Sequence, residues 1–189
     1  MTLRRWVPCL LLMAATPGHA QEPFDYDRHL GLAFVLPDGA ICLTIHAPGL
    51  QPGTPVLLVD DRDSAAVVAA TLRTPRSAPC PREVPGTADV LYTGVTHDPD
   101  RLPPGSVVVA VVASRQPLLA GAQGVAGDLD GDGVLEYFRQ CASNEGVHFT
   151  VWSGTPLRGE RRWHRYFYLG YDVEPSCTEA EYRSPGPAN

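Results

Sequence analysis

Glycine and proline interrupt this chain so often that long helices have little room to form. The two residue types account for 37 of the 189 residues, and no long segment shows the 3.6-residue apolar period of an amphipathic helix. Glycine weakens helix interiors, and proline breaks them. The pattern favours an all-β fold, which we expect to be an antiparallel sandwich or barrel with a C-terminal β-meander.

Short apolar runs between turn residues predict the positions of the strands. In the first half of the chain the predicted strands are 32–36, 40–46, 54–59, 65–72, 89–96 and 106–113. In the second half, segments 121–127 and 134–141 are expected to pair as hairpin arms, and strands follow at 147–152 and 162–171. We expect an N-terminal β domain over residues 21–118 and the meander over residues 119–189, either as two domains or as one continuous unit.

The first twenty residues have the features of a secretion signal. Arg4 and Arg5 precede an apolar run at residues 6–15, and the small residues before position 21 suit cleavage after Ala20. The run is too short to remain as a membrane anchor. We therefore expect a periplasmic or secreted mature chain without a membrane span.

The charge pattern points to an acidic exported protein. All 15 basic residues are arginines, which is typical of the codon usage of GC-rich bacteria. Without residues 1–20 the net charge is near −8. Such a balance disfavours non-specific binding to nucleic acid.

Four cysteines remain after the signal segment: Cys42, Cys80, Cys141 and Cys177. An even number in an oxidising compartment predicts two disulfides. Three pairings are possible, and we favour Cys42 with Cys80 and Cys141 with Cys177, because each bond then closes a local unit. In the chain-entropy model, loops of this length are worth about 4 kcal/mol each.

Residues 128–136, here called the acidic loop, place four carboxylates at alternate positions in the sequence DLDGDGVLE. Ca²⁺ takes six to eight oxygen ligands at about 2.3–2.6 Å, and a curling loop can aim alternate residues at one point. Gly131 and Gly133 permit the necessary curvature. The expected calcium ligands, four side chains and one backbone carbonyl, are Asp128, Asp130, Asp132, Val134 and Glu136. A polar turn without a metal is the alternative.

The acidic loop resembles the D-x-D-x-D-G-x-x-D/E loop of FG-GAP and integrin-type β-hairpins, in which an acid at the ninth position closes the site. Glu136 occupies that position. An EF-hand loop would close at its twelfth position, where this chain has Arg139. The resemblance covers only these nine residues, and it implies a local calcium site between two strands.

The second half also carries a basic and aromatic strand. Strand alternation places Trp163, Arg165, Phe167 and Leu169 on one face and Arg162, His164, Tyr166 and Tyr168 on the other. We expect one face to be core and the other to be exposed. The residues expected to contact a protein or a glycan partner in the cell envelope are Trp152, His164, Tyr166 and Tyr168. A strand with no binding role is the alternative.

Candidate catalytic groups are sparse. His148 and His164 lie on neighbouring predicted strands, and with Glu145 or Glu160 they would form a general acid/base pair. The sequence has no nucleophile elbow, P-loop, dinucleotide motif or regular zinc-ligand spacing. The leading hypothesis is therefore an exported, calcium-stabilised β protein without catalytic residues that acts by surface recognition, for example as an inhibitor or immunity-type protein. The alternative is a periplasmic hydrolase with structural calcium.

Overall fold

The computed structural model describes residues 23–45, 50–62, 65–73, 92–98, 100–112, 116–122, 124–154, 159–169, 174–178 and 181. Strands dominate these residues, which confirms the all-β prediction. The elements are α1 (Tyr26–His29), β1 (Leu30–Val35), β2 (Ala40–Thr44), β3 (Pro55–Asp60), β4 (Ala66–Arg73), β5 (Tyr92–Thr96), β6 (Val107–Val112), β7 (Leu119–Gly121), β8 (Gly124–Gly127), β9 (Glu136–Ser143), β10 (Gly146–Ser153) and β11 (Glu160–Tyr168).

Strands β1 to β6 close into an antiparallel barrel in the order β1-β2-β5-β4-β3-β6. Each predicted strand of the first half overlaps one of these six. The β1–β2 connection shows the expected turn chemistry, because Gly39 has a φ of 77° and Asp38 Oδ1 accepts a hydrogen bond from the Ala40 N–H at 3.0 Å.

Alternating side chains of the barrel strands form two cores. On β6, Val108, Ala110 and Val112 face the barrel interior, and the alternate valines face outward. Both sets are buried, which explains why β6 is apolar at every position. The interior is filled mainly by aliphatic residues of β1, β2, β3 and β4 as well, such as Val35, Ile41, Leu58 and Leu72.

The remaining strands form an antiparallel sheet in the order β11-β10-β9-β8-β7. The segments on either side of the acidic loop pair as predicted, with Ala126 opposite Tyr137 and Gly127 opposite Glu136. The short edge strand β7 was missed from the sequence, because three residues are too few to show an alternating pattern.

This second sheet packs on the outside of the barrel over β1, β6 and β3. Phe149 and Val151 of β10 and Trp163 and Phe167 of β11 meet the outward-facing residues of those barrel strands in one apolar cluster. The opposite side of β10 and β11, here called the outer face, carries His148, Thr150, His164, Tyr166 and Tyr168. The boundary between the barrel and the sheet falls between β6 and β7, and both parts contribute to the shared core.

The predicted bond between Cys141 and Cys177 is present, with an S–S distance of 2.03 Å. Cys42 is disulfide-bonded as well, and its predicted partner, Cys80, lies outside the described residues. The predicted signal segment, residues 1–20, also lies outside them. In the part of the chain that the structure describes, no helix is long and apolar enough to cross a membrane.

Candidate metal centre and the adjoining outer face

The acidic loop is shaped by hydrogen bonds from its backbone to its own carboxylates. Asp128 accepts from the Gly131 N–H at 2.7 Å and from the Gly133 N–H at 3.1 Å, and Asp130 accepts from the Asp132 N–H at 3.1 Å. Both glycines have a positive φ, 80° and 88°, which side-chain-bearing residues rarely adopt. The glycines therefore let the loop curl around its acids.

Leu129 fixes the loop to the body of the protein. Its side chain is fully buried in the cluster between the barrel and the sheet, whereas Asp128 and Asp130 on either side of it are partly exposed. In this part of the loop, a buried apolar side chain therefore lies between two partly exposed acidic side chains.

Three of the predicted ligands come together. Asp128, Asp130 and Glu136 each offer a carboxylate oxygen, and these oxygens lie within 4.8 Å of one another. Asp132 lies outside this side-chain group; its Oδ1 accepts from the Val134 N–H at 2.7 Å, and both residues are exposed. The structure therefore brings Asp128, Asp130 and Glu136 into one cluster and leaves Asp132 at the rim.

Glu136 distinguishes this cluster from an ordinary acidic turn. Its side chain is fully buried, Oε2 accepts from the Leu129 N–H at 2.7 Å, and Oε1 has no hydrogen-bond partner. Burial, reinforced by Asp130, Asp132 and Asp128, raises the pKa of this carboxyl to about 7. A buried acceptor without a partner is costly in free energy, and a bound cation would satisfy it. The oxygen-only donor set fits a hard divalent cation.

The short helix α1 adjoins the cluster and was missed from the sequence. The Tyr26 hydroxyl donates to Asp130 Oδ2 at 3.4 Å, and burial raises the pKa of Tyr26 above its ordinary value. Asp27 accepts from Trp163 Nε1 at 3.1 Å and forms an ion pair with Arg165. This helix therefore links the acidic loop to β11. A four-residue helix is too short to produce a periodic sequence pattern.

The outer face brings the two predicted histidines together. His148 Nδ1 and His164 Nε2 lie 3.0 Å apart, and the His148 ring also contacts the Tyr166 ring, with centroids 4.7 Å apart. Burial is the main cause that lowers both histidine pKa values, that of His164 to about 4, and the Arg161 guanidinium lowers both further. Both imidazoles are therefore mainly neutral at pH 7, and the N–H of one ring donates a hydrogen bond to the unprotonated nitrogen of the other.

The predicted partner-binding residues differ in accessibility. Tyr166 and Tyr168 are 40% and 43% exposed, and His164 is partly exposed. Trp152 is only 6% exposed, and its Nε1 donates to Thr150 Oγ1 at 3.1 Å. The tyrosines are accessible to a partner in this structure, whereas Trp152 is almost completely covered.

A pocket of about 390 Å³ opens beside the histidine pair. Its lining residues are Ser143, Asn144, Glu145, His148, Tyr166, Pro175 and Cys177. The C-terminal segment 174–178 forms one wall and is held by the Cys141 disulfide and by the N–H groups of Ser176 and Cys177, which both donate to the Ala142 carbonyl at 2.9 Å. Of the two candidate glutamates, Glu145 lines this pocket, and Glu160 forms an ion pair with Arg162 instead.

No protein-family model, curated protein sequence or solved structure matches this chain.

Proposed function

We propose that this chain is an exported, calcium-stabilised β protein that acts by recognising a partner in the cell envelope through its outer face. The observation that carries the calcium part is the buried, unpartnered Oε1 of Glu136 beside Asp128 and Asp130. The accessible tyrosines and the pocket next to them support the recognition part.

Electrostatics favours a cation at the cluster. Two carboxylates about 5 Å apart repel each other by on the order of 3 kcal/mol at an effective dielectric constant of about 20. A divalent cation among the carboxylates adds attractions that outweigh this repulsion. Calcium suits the cluster better than magnesium, since it accepts irregular oxygen geometry and dehydrates more readily. The resemblance of the acidic loop to FG-GAP-type loops supports the same choice.

The calcium proposal is tested by isothermal titration of the purified chain with CaCl₂. We expect one site, and we expect Glu136→Gln and Asp130→Asn to weaken binding at least tenfold by removing ligand charge. Asp38→Asn is the matched control, because Asp38 also accepts a backbone hydrogen bond in a tight turn but lies outside the cluster. Equal affinities for all four proteins would refute the site.

The export proposal has its own test. Expression of the full chain in a bacterium with a secretion pathway should give a mature protein that begins near Gln21. N-terminal sequencing of the periplasmic or culture fraction checks this. Recovery of the protein only from the cytoplasm, with Met1 retained, would contradict it.

A hydrolase is the second candidate, and the 3.0 Å contact between His148 and His164 next to the pocket favours it. A neutral imidazole at a pocket wall can act as a general base when a second group orients it. Turnover of a cell-wall or ester substrate by the purified protein, abolished by His164→Ala, would support this candidate and refute pure recognition.

A further inference from the structure

The pocket beside the outer face is a shallow, open depression, and its volume lies near the lower end of the range for small-molecule sites, about 300–1,000 Å³. The lining includes Pro175 and Cys177 of the C-terminal segment, which the disulfide holds to β9, and His148 and Tyr166 of the outer face. A depression of about 390 Å³ has room for one compact ring.

The pocket lining combines aromatic rings with polar side chains. The rings of Tyr166 and His148 supply apolar faces, while Ser143, Asn144 and Glu145 supply a hydroxyl, an amide and a carboxylate. No arginine is among the residues that line it, so the described lining offers no charged group to pair with an anion. A neutral ring that has apolar faces and many hydroxyls at its edge matches these groups.

Gly146 helps to set the position of Tyr166. A Cβ at residue 146 would come within 3.0 Å of the Tyr166 hydroxyl and would collide with the Phe167 carbonyl. The missing side chain therefore leaves room for the tyrosine to lie across the end of β10, next to the pocket. The ring is 40% exposed, which leaves surface available for stacking.

We propose that this pocket is a carbohydrate subsite that holds one neutral hexose-type ring of an envelope glycan, stacked on Tyr166 and hydrogen-bonded by Ser143, Asn144 and Glu145. The inference rests on the proposed recognition function and specifies its partner class. Aromatic stacking fixes the ring, and the three polar side chains select for hydroxyl groups at its edge.

The experiment uses the calcium-loaded full chain and a panel of neutral mono- to trisaccharides built from glucose, galactose, mannose and N-acetylglucosamine. Ligand-observed NMR and isothermal titration measure binding. We expect at least one member to bind, with a loss of tenfold or more in affinity for Tyr166→Ala and little change for Tyr166→Phe, which keeps the ring. Glu145→Gln should weaken binding less than Tyr166→Ala does.

Leu169→Ala is the matched control, since Leu169 directly follows β11 and is exposed but is neither a proposed partner-binding residue nor part of the pocket lining. Thermal unfolding of each variant confirms that it is folded. Absence of binding across the panel, or equal losses for Tyr166→Ala and Leu169→Ala, would overturn the subsite. Glycan-free capture of an envelope protein that requires Tyr166 would overturn it as well.

The outcomes also separate this inference from the proposed function. If the saccharides fail but calcium still binds at the acidic loop and Tyr166 is still needed for an envelope protein partner, only the carbohydrate assignment is wrong. If calcium does not bind, the proposed function itself is wrong in its metal part.

Discussion

For Glu136, the structure shows properties that the sequence alone did not predict. The alternate spacing of the acids predicted one group of Asp128, Asp130, Asp132 and Glu136, because spacing is a local property of the sequence, and the structure brings three of these four together. The complete burial of Glu136 and its unpartnered Oε1 depend on the packing of the sheet against the barrel. The local sequence pattern could therefore predict neither of these properties, nor the position of Asp132 at the rim of the cluster.

The hydroxyl of Tyr26 provides a test of the proposed calcium site. Its donation to Asp130 orients a proposed ligand, and groups that orient metal ligands are typically worth about 10–100-fold in affinity. Because this hydrogen bond is long, we expect Tyr26→Phe to weaken calcium binding by about tenfold or less, as measured by isothermal titration. Tyr137→Phe is the control. An affinity identical to that of the parent protein would show that Tyr26 only packs against the loop.

Asp61 predicts a pH dependence. Its buried carboxylate accepts from the N–H groups of Val125 and Gln140, at 3.3 and 3.4 Å, and so joins the barrel to the sheet. Burial raises its pKa from 3.8 to about 6, although these hydrogen bonds and Arg139 oppose the shift. The folded state therefore holds this proton more tightly than the unfolded state does. The stabilisation is complete below about pH 4 and is lost as the pH rises through about 6.

Replacing Asp61 by asparagine should remove this dependence. Relative to Asp61→Asn, the free energy of unfolding of the parent protein should fall by on the order of 3 kcal/mol between pH 4 and pH 7, since each pKa unit corresponds to about 1.4 kcal/mol. Urea unfolding at both pH values, with calcium in excess, gives the comparison. Parallel pH profiles for the two proteins would contradict the account.

At the scale of elements, local patterns located the long strands but not their partners. The valine-rich run at 106–113 predicted a strand, and the structure shows why it is apolar at every position: one side of β6 faces the barrel interior and the other faces the second sheet. The pairing of β2 with β5 joins residues far apart in the sequence, so no local pattern reveals it. The choice between sandwich and barrel was open for the same reason.

Removing the disulfide between β9 and the C-terminal segment tests whether residues 174–178 must be held in place to form the pocket. Cys141 and Cys177 are 36 residues apart, and a closed loop of this length is worth about 4 kcal/mol in the chain-entropy model. We expect the Cys141→Ala/Cys177→Ala double variant to unfold at a clearly lower urea concentration and to lose saccharide binding. Unchanged stability would show that the hydrogen bonds to Ala142 hold the segment without the disulfide.

At the scale of the whole molecule, the barrel and the sheet share one core, and the acidic loop lies where they meet. Leu129 is inserted into that core. Glu136, the first residue of β9, lies directly beside Leu129. Calcium at the loop would therefore stabilise the contact between the two sheets as well as the hairpin. A ligand that binds only the folded state at about 100 times its Kd adds about 2.7 kcal/mol of stability.

Thermal unfolding of the full chain in excess calcium and in excess EDTA tests this central claim most directly. For a chain of this size, about 1 kcal/mol shifts Tm by about 2–4 °C. We therefore expect Tm to be at least 5 °C higher in calcium, and we expect Glu136→Gln to abolish most of the difference. Superimposable unfolding curves for the parent protein in calcium and in EDTA would contradict the account.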